Sequence, residues 1–191
     1  ILHQYNEIAS MVGERHPDRR LAGYVYDDYI WPPNEPVELE PNLFLVLTTS
    51  NVYCYKLYRD DFRAEWDAIA RGWTALTDDI AYYDIPVSLL AEAGAPNPVG
   101  RPILRFLYPR MAELGFRGVY NYGIAAWGHG APVNYLLAKL AWDPDADIDA
   151  LTQDFLTACY AEGADEIGAF YALLDDATER YYLAHPEETY T

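Results

Sequence analysis

The stretch LAGYVYDDY, from Leu21 to Tyr29, decides the fold: a β-prone run of apolar and aromatic residues breaks off in two carboxylates and a tyrosine. The same form returns as NLFLVLTTSN from Asn42 to Asn51, DIAYYDIP from Asp79 to Pro86, and FRGVYNYG from Phe116 to Gly123. Each run is followed by a loop and, in most cases, by a helical pattern, which is the signature of consecutive βα units feeding a parallel sheet. In such folds the C-terminal ends of the strands carry the chemistry. Here those ends offer Asp27, Asp28, Tyr29 and Trp31, then Thr48, Thr49, Asn51 and Tyr53, then Asp84, and finally Asn121, Tyr122, Trp127 and His129. Carboxylates beside tyrosine and tryptophan point to a sugar site.

The helical stretches fit this rhythm. YNEIASMVGERH opens the chain as a helix, and Asp60 to Leu76 carries Phe62, Trp66, Ile69, Ala70 and Trp73 on one amphipathic face. Arg101 to Leu114 repeats the spacing, with a break or kink expected at Pro109 and a stop at Gly115. Three further helices are expected over Val133 to Trp142, Ile148 to Tyr160 and about Asp165 to Leu183. Trp66, Trp73 and Trp142 lie at helical spacing and are assigned to packing. The chain therefore divides into βα units over residues 1–142 and a helical extension over 143–191.

Four βα units do not close an eight-stranded barrel. They form either an open four-stranded parallel sheet or the C-terminal half of a (β/α)8 barrel. The chain opens at Ile1, without an initiator methionine and already inside a helical pattern, which favours the half-barrel. Strand order 1-2-3-4 with the acidic and aromatic ends on one rim is then expected, and an antiparallel pair or a 2-1-3-4 order would exclude it.

Composition narrows the partners. The 191 residues are 51% hydrophobic, enough for a core of one domain's size. With 13 Lys and Arg against 30 Asp and Glu the net charge is −17, which argues against a phosphate backbone as partner. No run approaches the ~18 apolar residues of a membrane span. Cys54 and Cys159 form no CxxC pair, so they are read as ordinary small side chains rather than zinc or redox ligands. The alternating Asp143, Asp145, Asp147 and Asp149 resemble a calcium loop, but Ile148 stands where an EF-hand needs glycine, and a helix cap at Asp147 explains the run. No metal and no cofactor are expected.

The order HPDRRLAGYVYDDYIWPP, YYDIP, LGFRGVYNYG and PVNYLLAKLAWDPDADIDALTQDFLTACY resembles the C-terminal half of a bacterial domain family of unassigned function in glycoside-hydrolase-like barrels, itself similar to the α-glucuronidase barrel. The resemblance covers nearly the whole chain, and its most specific part is LLAKLAWDPDADIDALTQDFL, which would close the family's barrel. CYAEGA at Cys159 to Ala164 departs from the Tyr-Gly-Pro turn more usual there. The resemblance implies an oligosaccharide or polysaccharide substrate and a secreted or periplasmic setting. It also implies a general acid on an earlier barrel strand, in the N-terminal half that would complete the site.

Glycosidic hydrolysis needs two carboxyl groups, one to protonate the leaving oxygen and one to act as base or nucleophile. The candidates are Asp28, Asp84 and Asp27. Alternation along the first strand puts Tyr24, Tyr26 and Asp28 on one face and Gly23, Val25 and Asp27 on the other. The small Gly23 and Val25 suit the helix layer, which favours Asp28 for the barrel mouth. Asn51, Tyr83, Asn121 and Tyr122 are candidates for binding hydroxyls, and Trp31 and Trp127 for stacking on sugar rings. His129, in WGHGAP, is expected in a tight loop as a hydrogen-bonding group. Two function classes follow: a glycan hydrolase whose site needs further strands, or a carbohydrate-binding or structural barrel domain without the chemistry. A flavodoxin-like domain is disfavoured because no strand leads into a glycine-rich phosphate loop.

Overall fold

The computed structural model describes residues 1–49, 53–84, 98–121, 127–185 and 187, with residues 84 and 127–129 described by their backbone alone. Among the described residues, strands β1 (Leu21–Tyr26), β2 (Leu43–Thr48), β3 (Ile80–Asp84) and β4 (Val119–Asn121) form one sheet in the order β1-β2-β3-β4. All three pairings are parallel, with Tyr24 opposite Val46, Val46 opposite Ala81, and Tyr83 opposite Tyr120. This is the order expected from the sequence.

Strand alternation then separates two unlike faces. One carries Gly23, Val25, Leu43, Leu45, Leu47, Ile80 and Tyr82, all buried. Against it lie α1 (Leu2–Arg15), α2 (Asp60–Leu76) and α3 (Arg101–Glu113). From α1, Tyr5 packs so tightly on Gly23 that an added Cβ would fall 2.7 Å from its ring. The Tyr5 hydroxyl also donates to the Tyr24 carbonyl at 3.0 Å. From α2, Trp66 and Trp73 are buried at 0% and 2% exposure, as their spacing predicts. The opposite face holds Tyr24, Val46, Ala81, Tyr83 and Tyr120, and there Tyr24 and Tyr120 stay 44% and 60% exposed.

Between β1 and β2 the outer layer is crossed by extended chain. The Ile30 carbonyl accepts from Trp73 Nε1 at 2.6 Å, and Pro32 sits where a Cβ on Gly72 would come within 2.4 Å. Further on, Asn6 of α1 donates to the Glu38 carbonyl and accepts from the Glu40 amide. This connection ties α2 to α1 and fills the place of a helix.

α3 runs on through Pro109, so the break that was one of the two outcomes expected there does not occur. Burial of Ile103, Leu104, Leu107 and Met111 along one side holds the helix together across the one backbone hydrogen bond that proline removes. Gly115, at φ 81°, ends the turn that follows, as a residue without a Cβ can do there. α4 (Trp127–Trp142) begins six residues before the expected Val133, so WGHGAP is helix and not a loop. Burial of Val133, Leu136, Leu137 and Leu140 outweighs the ~1 kcal/mol that each glycine costs a helix. At the far end of α4, Trp142 is 91% exposed and does not pack, which corrects the reading from spacing alone.

The extension consists of α5 (Ile148–Tyr160) and α6 (Ala164–Ala184). Asp147 caps α5, its carboxylate accepting from the amides of Asp149 and Ala150 at 2.9 and 3.1 Å. α6 packs on the 3-10 turn Cys54–Tyr58 that follows β2, where the Tyr55 and Tyr182 rings lie 5.1 Å apart. Asp175 of α6 is buried at the start of α3. It accepts from the amides of Val99 and Gly100 at 2.6 and 3.1 Å and from Arg101 Nε at 3.0 Å.

Candidate functional site

The C-terminal ends of the four strands lie side by side on one edge of the sheet. β1 stops at Tyr26, and Asp27 turns the backbone into the left-handed region at φ 52°, opening a 3-10 turn over Asp27–Tyr29. Strand alternation therefore ends one residue before the carboxylates, and the parity argument that preferred Asp28 over Asp27 does not reach them. Both side chains are exposed at the rim. A left-handed aspartate stores backbone strain, which functional turns commonly do.

At the end of β2, Thr48 and Thr49 are each 1% exposed and bonded inward. Thr48 Oγ1 donates to the Tyr83 carbonyl at 2.5 Å. Thr49 Oγ1 meets the Tyr82 hydroxyl at 2.7 Å and accepts from Trp66 Nε1 at 3.0 Å. These threonines lock β2 to β3 and to α2. Tyr53 is buried too, and burial, with a hydrogen bond to Glu65, raises its phenol well above the ordinary value. Burial lowers the nearby Lys56 ammonium, with the charge of Glu65 opposing.

β3 ends at Asp84, in register with Asn121 at the end of β4. Asp27, Asp28 and Asp84 thus belong to the same edge of the sheet. Asn121 shares the helix-bearing face and its Oδ1 accepts from the Tyr108 hydroxyl of α3 at 3.2 Å. Trp31 is 52% exposed but flanked by Ile30 and Pro32, both held against α2, so it belongs to the outer layer and not to the tyrosine face. Trp127 and His129 occupy the first turn of α4. Asn51 and Tyr122 lie outside the described residues.

Sequence reasoning singled out Tyr83 but passed over its partners. Tyr83 and Tyr120 are the penultimate residues of β3 and β4, with rings 4.8 Å apart. Tyr24 extends the row from β1, its ring 6.0 Å from that of Tyr83. Together they make an aromatic band just below the acidic rim. The alternating tyrosines of each run were visible in the sequence, but the register is what sets Tyr83 beside Tyr120, while Tyr24, level with Val46 and Ala81, reaches Tyr83 diagonally across β2.

Residues 1–172 match a family described as Domain of unknown function (DUF4838). The chain belongs to that family. The match takes in all four strands and α1 to α5, so the rim and the tyrosine band are parts of the DUF4838 domain itself. No curated protein and no solved structure matches this DUF4838 chain. Among the described residues no helix is long and apolar enough to cross a membrane, and no group of three His, Cys, Asp or Glu is disposed to hold a metal ion.

Proposed function

We propose that this DUF4838 domain is the C-terminal half of a (β/α)8 barrel that hydrolyses glycosidic bonds, with Asp28 and Asp84 supplying carboxylates and Asp27 as the alternative to Asp28. One observation carries the reading: four parallel strands in sequential order hold α1, α2 and α3 against the same face. A doubly wound sheet distributes its helices over both faces, whereas a barrel keeps them all outside. The exposed tyrosine face then corresponds to barrel interior. The edge helix α1 supports this, because Ile8 and Met11 are 47% and 52% exposed where a further barrel helix would pack.

Chemistry at such a rim follows from the acids. β1 and β3 are two strand intervals apart, ~9.6 Å at ~4.8 Å each, so carboxyl groups that follow them can share one rim. One carboxyl group would protonate the leaving oxygen and the other would activate water. A general acid from a strand outside this chain is compatible with the same scheme, Asp28 or Asp84 then serving as base.

The test is a glycoside panel on the full-length protein, wild type against Asp28→Ala, Asp27→Ala and Asp84→Ala. Loss of a catalytic carboxylate is expected to lower turnover by about 10²-fold or more while binding changes little, since the group acts in the transition state. Unchanged turnover in all three variants removes these residues from the mechanism. A wild type that binds oligosaccharide without cleaving it leaves a carbohydrate-binding barrel.

A further inference from the structure

We infer that the band formed by Tyr24, Tyr83 and Tyr120 is the platform for an uncharged sugar ring, so that the glycan is neutral where it crosses this part of the rim. The inference rests on the glycan reading above and adds the substrate class.

The geometry of the band argues for a ligand. Tyr83 and Tyr120 sit one residue below the ends of adjacent strands, on the face away from the helices, with rings 4.8 Å apart. Between the rings the same face carries only the small aliphatic Val46 and Ala81, which leaves the faces of the tyrosines uncrowded from that side. Tyrosine combines a flat apolar ring with a polar edge, which matches a pyranose, whose C–H face is apolar and whose rim is hydroxylated.

Charge selects among sugars. The connections that follow the strands comprise residues 27–42, 49–59, 85–100 and 122–126, and in the sequence they contain only two permanent cations, Lys56 and Arg59. Arg59 is committed to Asp61 through Nε at 3.0 Å and Nη2 at 2.6 Å. Lys56 lies against the Phe62 ring, 5.1 Å from its centre. The arginines that begin the helices behind the rim are also engaged, Arg63 with the Leu57 carbonyl and Arg101 with Asp175. Two more, Arg20 and Arg117, share Asp79 at the opposite end of the strands, at 2.7 and 3.1 Å. At the rim itself β1 gives way to the exposed carboxylates Asp27 and Asp28, and β3 ends in Asp84. A carboxylate or sulfate ester on the ring would approach these acids without a guanidinium to receive it, and selective anion binding relies on such charge-assisted, bidentate contacts. A neutral ring meets no such repulsion.

Calorimetric titration of the full-length protein with neutral oligosaccharides (cello-, xylo- and manno-oligomers) and with oligogalacturonate tests both parts. The expected result is binding of a neutral oligomer with at least about tenfold preference over the uronate, and at least about tenfold weakening of that binding by Tyr120→Ala, roughly the loss of one aromatic contact. Tyr120→Phe, which keeps the ring, should stay within about threefold of wild type. Tyr120→Leu, which keeps apolar volume for folding but not the flat ring, should weaken binding as alanine does, with thermal melts verifying the fold of each variant. Preference for oligogalacturonate overturns the neutral class even if no variant folds. Wild-type affinity in folded Tyr120→Ala or Tyr120→Leu overturns the platform while leaving the glycan reading standing. A wild type that neither binds nor cleaves any glycan overturns both.

Discussion

Gly23 and Asp175 are single residues on which packing between elements depends. A Cβ at Gly23 would lie 2.7 Å from the Tyr5 ring, and that ring is pinned by its bond to the Tyr24 carbonyl. Gly23→Ala is therefore expected to cost about 1–3 kcal/mol in urea unfolding, as overpacking does. Tyr5→Leu in the same chain should return part of the loss; full additivity of the two changes would show that the Tyr5 contact is not the cause. Asp175 is a buried carboxylate whose three donors join α6 to the start of α3. Asp175→Ala leaves two buried amides without an acceptor and Arg101 with only its longer contact to Asp149, so a loss of about 3–5 kcal/mol is expected, near the usual range for breaking a buried pair. At about 2–4 °C per kcal/mol for a chain of this size, the melting temperature should fall by roughly ten degrees. Asp175→Asn, which keeps an acceptor for the amides, should lose less. Gly23 was readable in the sequence as a small residue for the helix layer, because strand parity is local information. Asp175 was not, because its partners are about 75 residues away.

At the scale of elements, the hydrophobic periods were enough to place the strands and most helices, and α2 and α5 have the bounds that periodicity gave them. The misreadings share a cause. WGHGAP carries loop residues and Pro109 carries a helix breaker, yet burial of the apolar residues around them keeps α4 and α3 continuous, a tertiary effect that local propensity cannot register. Trp142 fails in the other direction, since spacing names a face without naming what covers it. The joint between α2 and α3 gives a test. Burial raises the Asp67 carboxyl, but its bonds to Arg110 and Arg71 outweigh this and hold it below the ordinary carboxylate value. A carboxyl lowered on folding stabilises the native state above its unfolded value, about pH 4, and that contribution disappears as pH falls through the folded value. Arg110→Met should thus destabilise the protein above about pH 4 and become silent in more acidic solution, by no more than about 1 kcal/mol because the pair is partly solvated. Denaturant midpoints compared between pH 7 and pH 2.5 measure it, and a difference that persists undiminished at the lower pH would assign the effect to packing.

For the whole molecule, the informative feature is asymmetry: one face of the sheet is buried under helices, while the other leaves Tyr24 and Tyr120 exposed. The half-barrel expected from the sequence implies a single helix layer, and the right-handedness of successive parallel crossovers puts α2 and α3 on the side where α1 also packs. The same asymmetry predicts how the 191-residue chain behaves in solution. If further strands complete a barrel, β1 and β4 are edges that lack their neighbours, and unpaired parallel edges beside exposed aromatic rings favour association. Ile8 and Met11 on α1 and Trp142 on α4 add exposed apolar surface on the outer layer. The net charge of −17 opposes self-association and is screened by salt. Sedimentation of the isolated chain is therefore expected to show association that grows with both protein and salt concentration, accompanied by binding of a hydrophobic dye. Adding the remaining strands in one polypeptide should abolish both. A dye-silent monomer at every salt concentration would mean that the four-stranded sheet is complete as it stands, and the half-barrel reading, together with the site built on it, would fail.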